Sequence, residues 1–194
     1  MKTIIFDTEC NGMRDEAICQ LSAIVVDDGC YTGINRWFAV HQMNDYAVRI
    51  HGLSKLRLHE LSGGVTFEDW AMDNIDLILG ADIYAGHNVS QDMHVVRKNL
   101  ARIGIEFKSV KTFCTMKYFD AALHLKSKSG KTKPPRLDEL CAYYRISEDE
   151  IIKQCQIVFG EGRYHAHDAR YDTAATLLCI LEAQRRGDVK GVIE

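Results

Sequence analysis

The chain has 194 residues, 46% hydrophobic, with two prolines and 24 Lys and Arg against 27 Asp and Glu; this excludes disordered and fibrous classes and any polycation that coats nucleic acid through its whole surface. That length suits one domain spanning residues 1–194. Seven cysteines without a C-x-x-C pair argue against a disulfide framework or a zinc site, and no apolar run suits a signal peptide or a membrane span, so a cytoplasmic protein without a membrane partner is expected.

Residues 3–6, Thr-Ile-Ile-Phe, form a short β-prone run ending abruptly at Asp7, as in a buried strand whose end opens onto a site. Segments 18–26 and 33–40 are rich in β-branched and aromatic residues, with Asp27-Asp28-Gly29 as turn chemistry between them. A Thr66-x-x-Asp69 start and apolar residues at helical spacing predict a helix over 66–80. A short strand at 82–86, a helix at 92–103 and a strand at 108–114 follow, then helices at 115–125, 136–145 and 169–187. Lys126-Ser-Lys-Ser-Gly-Lys-Thr-Lys-Pro-Pro135 reads as a mobile loop between two helices. Trp37 and Trp70 fall in a strand and an amphipathic helix, which predicts core packing for both.

Asp7 and Glu9 stand two apart at the end of the first strand, so their side chains leave one face of the sheet and can share a cation. The segment Phe6-Asp7-Thr8-Glu9-Cys10-Asn11-Gly12 resembles the first motif of the DnaQ-like, or DEDD, family of 3'-5' exonucleases, which includes polymerase proofreading subunits, ribonuclease T and oligoribonuclease. Ala85-Gly86-His87-Asn88-Val89-Ser90-Gln91-Asp92 is similar to the family's second motif, H-N-x-x-x-D, and Asn88 suits the cap of the following helix. Gln91 departs from the aromatic residue usual in DNA-directed members and is closer to oligoribonucleases. The third motif, H-x-A-x-x-D, fits His167 and Asp172. Five residues on a helix turn through about 500°, so His167 is expected on a mobile loop ahead of the helix, leaning over the site. Tyr164 and Asp168 also satisfy Y-x-x-x-D, the pattern of the family's tyrosine branch, but the histidine pattern runs on for longer. His165 is expected to face solvent. Arg49-Ile50-His51-Gly52-Leu53-Ser54 is similar to the segment with which the family holds the terminal nucleotide; on its own it reads as a helix-breaking turn.

The resemblance implies an α/β, ribonuclease H-like fold: a five-stranded mixed sheet of order 3-2-1-4-5, strand two antiparallel, flanked by helices. It implies that Asp7, Glu9, Asp92 and Asp172 bind two Mg2+ or Mn2+ ions, with Asp7 bridging, Glu9 and Asp172 on the first ion and Asp92 toward the second. His167 is then the general base, and Thr8, Cys10, Asn11, Gly12, His51 and Asn88 contact substrate. The implied activity is 3'-5' exonuclease on single-stranded DNA ends, releasing nucleoside 5'-monophosphates; an exoribonuclease, or a non-catalytic module that binds nucleic acid or a replication partner, is the alternative. A polymerase or other replication partner, and a monomer or homodimer, are compatible with the sequence.

Other motifs carry less. Ser129-Gly130-Lys131-Thr132 copies the tail of a P-loop, but Leu125 stands where the first glycine is required. Gly160-Glu161-Gly162 lacks the third glycine of a dinucleotide fingerprint. The cations Lys126, Lys128, Lys131, Lys133 and Arg136 fit either a solvated loop or a phosphate-binding one.

Overall fold

A computed structural model describes residues 1–108 and 110–194. The β-branched runs found in the sequence build one sheet of order β3-β2-β1-β4-β5. β1 (Thr3–Cys10) lies at its centre, antiparallel to β2 (Ile18–Asp27) and parallel to β4 (Ile83–Gly86); β3 (Cys30–Trp37) and β5 (Lys111–Cys114) are the edges. The β2–β3 hairpin closes through Asp28 and Gly29, both at positive φ, 46° and 75°. This is the conformation whose twist matches that of paired strands. Pairing therefore resumes at once, with Asp27 opposite Cys30, and the third strand occupies Cys30–Trp37 instead of 33–40. The expected strand at 108–114 is described from Lys111; Ser109 lies outside the described residues.

Side chains alternate across β1 with period two. Ile4 and Phe6 pack with Val89, Met93 and Val96 of α4 (Val89–Ala101) and with Phe67, Trp70 and Ala71 of α3 (Phe67–Asn74). Ile5 faces the opposite layer, with Ala174, Leu177 and Ile180 of α8 (Ala169–Arg186), Leu140 of α6 (Leu137–Tyr144) and Phe119 of α5 (Thr115–Leu123). Continuing the alternation puts Asp7 and Glu9 on the α8 side and Thr8 on the α4 side.

The helix predicted over 66–80 stops sooner: a Thr66/Asp69 capping box starts α3, and a 3-10 turn at Ile75–Leu77 ends it before Gly80. α4 begins at Val89, three residues before its predicted start. Asn88 occupies its N-cap position, but at φ 69° and without a side-chain capping bond, so it does not cap as expected. Three helices escape the periodicity reading. α1 (Asp45–His51) and α2 (Lys55–Ser62) are two turns each and rest on their caps, Asn44 to the Tyr46 N–H at 2.8 Å and Ser54 to the Arg57 N–H at 3.2 Å. α7 (Glu148–Phe159) starts from a Ser147/Glu150 capping box and buries Ile151 and Cys155. It lies so close to β3 that a Cβ on Gly33 would meet the Val158 carbonyl oxygen at 2.4 Å.

The stretch expected to be a mobile loop is a small hydrogen-bonded hairpin. Lys126 bridges Thr132, the Ser127 N–H donates to the Lys131 carbonyl at 2.8 Å, and the Lys133 N–H to the Leu125 carbonyl at 3.0 Å. Among the described residues no helix is long and apolar enough to cross a membrane.

Candidate active site

Asp7 and Glu9, projecting from β1 toward α8, meet Asp172 in the first turn of that helix. One carboxylate oxygen from each lies within 4.8 Å of the other two. All three are half-buried, and Asp7 and Asp172 open onto a cleft of about 1020 Å³ whose lining also includes His87, Asn88, Pro135, Arg136, Leu137 and His167. Burial is the largest influence on each, and repulsion between the carboxylates adds to it. Asp7 is held well above the usual carboxylate range, with Asp92, Asp172 and Glu9 raising it further. Glu9 is pushed up to about 9 by burial and then by Asp172 and Asp92. Asp172 rises to about 7 through burial, against the opposing pull of the His167 N–H, which donates to its Oδ2 at 3.2 Å.

Asp92 stands apart from this trio, on α4, beneath the opposite face of β1. Thr8 reaches it: the Thr8 N–H and hydroxyl both donate to Asp92 Oδ1, at 3.0 and 2.8 Å. Burial raises Asp92 to about 6 although both bonds favour its ionised form.

Beyond Glu9 a bulge shifts the register, and the chain turns through buried Asn11. The Asn11 side chain accepts from the Met13 N–H at 3.1 Å and donates to Asp15 at 2.8 Å. Gly12 is required here: its φ is 68°, and a Cβ would lie 2.8 Å from that of Ala47. α1 therefore packs directly on the end of the first motif. His51, in the last turn of α1, is buried; its Nδ1 accepts from the Leu53 N–H at 3.0 Å, so Nε2 carries the hydrogen. Nε2 has no partner among the described residues. Burial lowers the His51 pKa, the Cys10 backbone, near the ring but outside hydrogen-bond geometry, opposes that shift, and nearby His167 lowers it again. Cys10 is half-buried, its thiol pushed up by burial and then by Asp92.

His167 lies before α8, exposed and at φ 66°, a left-handed conformation that a histidine adopts only when its surroundings impose it. The residues of the tyrosine-branch pattern are engaged elsewhere. The Tyr164 hydroxyl donates to the Gly160 carbonyl at 2.6 Å, and Asp168 caps α8 through the Arg170 N–H at 3.0 Å while accepting from Gln20 Nε2 at 3.0 Å. His165 is exposed, as expected.

Sequence reasoning missed Arg170, which anchors this loop. Its guanidinium forms a two-pronged pair with Asp168, donates to the Arg163 carbonyl at 3.1 Å, and sits 4.6 Å from the Tyr164 ring centre and 5.0 Å from that of Trp37. Trp37 is accordingly half-buried and stacked on a cation, whereas Trp70 is buried in the core as predicted. The aromatic residues around 164–170 are a signal for such an anchor, but its partner Trp37 comes from a distant strand.

A mixed 3-2-1-4-5 sheet with acidic residues gathered at the end of its central strand is the ribonuclease H-like architecture of nucleases. The chain belongs to the RNase T exonuclease family, whose profile matches residues 4–179. Two DNA polymerase III epsilon subunits of Buchnera aphidicola are each 26% identical to it. The one from the Schizaphis graminum subspecies aligns over 161 residues, 78% of this chain and 66% of that protein; the one from the Acyrthosiphon pisum subspecies covers 76% and 63%. This chain thus spans just under two thirds of the length of these relatives. The fold is similar to exonuclease I of Methylocaldum szegediense, with a TM-score of 0.73, 17% identity and coverage of 96% of this chain and 41% of that one. It is also similar to E. coli exonuclease I in complex with a dA16 oligonucleotide, with a TM-score of 0.71, 16% identity and coverage of 95% and 41%.

Proposed function

We propose that this exonuclease is metal-dependent and works from the 3' end of single-stranded DNA, releasing nucleoside 5'-monophosphates. The observation that carries the reading is the convergence of Asp7, Glu9 and Asp172 with ligand oxygens within 4.8 Å of one another. Three carboxylates brought this close and partly desolvated oppose their own ionisation, and hard divalent cations remove that opposition. The donor set fits Mg2+ or Mn2+, and the two ions that the resemblance implies would be held by Asp7, Glu9 and Asp172, with Asp92 behind Thr8. When bound, such ions supply Lewis acidity and charge neutralisation for phosphodiester hydrolysis.

The chain's own groups do the rest. His167, exposed beside Asp172, accepts the proton of the attacking water at a ring nitrogen. The Nε2–H of His51, unpartnered among the described residues, is a buried donor, and the terminal nucleotide supplies an acceptor. Gly12 lets the backbone approach that nucleotide closely, flanked by Thr8, Cys10 and Asn11, while Asn88 lines the cleft from the other side. DNA is favoured by the epsilon-subunit relatives, which also suggest a polymerase partner, and by the oligonucleotide held by E. coli exonuclease I. Gln91, exposed one residue before Asp92, favours the second reading, an exoribonuclease.

The test incubates end-labelled single-stranded DNA and RNA with Mn2+ and wild type, Asp7→Ala or His167→Ala. Stepwise shortening of DNA by wild type is expected, abolished by Asp7→Ala and slowed roughly 10²- to 10⁴-fold by His167→Ala. Faster shortening of RNA selects the exoribonuclease. Retained binding with neither polymer shortened would sink the enzymatic reading in favour of a binding module.

A further inference from the structure

We infer that the hairpin spanning residues 125–133 is a docking surface for the phosphodiester backbone of the strand that feeds the cleft, acting through Lys126, Lys128 and Lys131; the inference deepens the exonuclease reading and rests on it. With 24 Lys and Arg against 27 Asp and Glu, and with carboxylates gathered at the site itself, a polyanion is attracted only by a local concentration of cations. The hairpin concentrates them. Its shape is set by the Lys126–Thr132 bridge, by the Gly130 N–H donating to the Ser127 carbonyl at 2.9 Å, and by Gly130 at φ 79°.

The five cations of this segment divide into two groups. Lys133 pairs with Glu139 at the start of α6, and Arg136 with Asp138 at 2.8 Å, so these two fasten the base of the hairpin to the helix. Lys126, Lys128 and Lys131 are exposed and make no ion pair among the described residues. The base of the hairpin adjoins the cleft, because Pro134, Pro135 and Arg136, the continuation of the same segment, line it together with Asp7, His167 and Asp172.

His87 fixes the junction. The Pro135 carbonyl only accepts, so His87 Nε2–H donates to it at 3.1 Å, leaving Nδ1 to accept from the Thr115 hydroxyl at 2.9 Å. The end of β4, the start of α5 and the base of the hairpin are thereby joined at one side chain, in the strand-to-helix turn that leads to Asp92. Charges on a hairpin held in this way neutralise phosphates without being ordered anew for each substrate, and they read no base.

The experiment measures binding separately from cleavage. Fluorescein-labelled phosphorothioate dT16 is titrated with the full chain in Mg2+ by anisotropy across a salt series. The proteins are wild type, the triple variant Lys126→Gln/Lys128→Gln/Lys131→Gln, and a charge-matched control, Lys111→Gln/Lys153→Gln/Lys190→Gln. Three lost contacts to a single strand lower the slope of log K against log salt by about 2, and weaken Kd about 100-fold at 0.1 M salt. The control is expected to keep the wild-type slope. Equal slopes for the hairpin variant and wild type, or an equal loss in the control, overturn the inference. The exonuclease reading fails by a different result, absence of shortening of ordinary DNA by wild type, while the slopes still decide what the hairpin binds.

Discussion

Replacing Arg170 with Met tests whether the loop carrying His167 is held by the anchor beneath it. The Arg170 and Asp168 side chains are 14% and 9% exposed, so the substitution strands a nearly buried carboxylate. Breaking a buried pair from one side costs about 3–5 kcal/mol. Asp168 keeps the Gln20 amide and the backbone N–H of residue 170, which favours the lower end, and the lost stacking on Trp37 and Tyr164 adds about 1–2 kcal/mol. A loss of about 4–5 kcal/mol in urea denaturation is expected, and adding Asp168→Asn, which removes the stranded charge, should recover part of it. For activity, Arg170→Lys is the gentler probe, since it keeps the charge and loses the two-pronged, stacked geometry. Its kcat should fall about tenfold with KM unchanged, and it should have no further effect in a His167→Ala background. A stability loss below about 1 kcal/mol for Arg170→Met, or losses in kcat that multiply in the double variant, would refute the reasoning.

Two further outcomes follow from the carboxylates. Folding raises the pKa of Glu9 from 4.5 to about 9, of Asp172 from 3.8 to about 7 and of Asp92 from 3.8 to about 6; the folded state therefore holds protons that the unfolded state releases, and the stability this provides is complete below about pH 4 and lost as pH climbs toward 9. In EDTA the Tm should fall across that window. Millimolar Mn2+ should restore it more in wild type than in Asp7→Ala; a flat profile, or equal restoration, contradicts the cluster. Thr8→Val removes one of the two bonds to Asp92 and should raise the Mn2+ concentration for half-maximal activity about tenfold, as the loss of about 1.5 kcal/mol of charge-assisted bonding implies; an unchanged metal requirement would show that Thr8 does not hold Asp92 for this purpose.

The strand runs and the Asp7/Glu9 pair were legible through short-range periodicity, whereas the sheet order and Asp172 were implied by the family resemblance. Three apolar residues ending at an acid, and a spacing of two, suffice to put Asp7 and Glu9 at the end of a buried strand on one face. The elements that went unread rest on other signals. α1 and α2 are too short for an apolar stripe, and α7 announces itself through Ser147-Glu148-Asp149-Glu150, a capping box whose run of charge looks like surface loop until Ile151 and Cys155 are seen to be buried. His51 was singled out through its motif, whereas its buried Nε2, without a partner among the described residues, needs coordinates. Arg170 was missed because its pocket is assembled from β3, the 160–165 loop and α8.

The middle residue of Asp7-Thr8-Glu9 has a part that spacing alone does not suggest. Period two aims Asp7 and Glu9 at Asp172 on α8, and by the same alternation aims Thr8 at Asp92 on α4. One strand thus reaches the acids of both flanking layers, Asp172 directly through Asp7 and Glu9, and Asp92 through Thr8. A one-residue slip in the pairing of β1 would exchange the faces, pointing Thr8 at Asp172 and both acids into the apolar layer of Phe67, Trp70 and Met93. The antiparallel register with β2, continuous from Thr3 opposite Val26 to Glu9 opposite Gln20, guards against that slip, and the bulge falls only after Glu9, once the last acid has been placed. The irregularity then frees the chain to turn at Asn11 and Gly12 toward α1 and His51. The sequence order of acid, hydroxyl, acid and small turn residue is therefore a requirement of the sheet as much as of the proposed metal site.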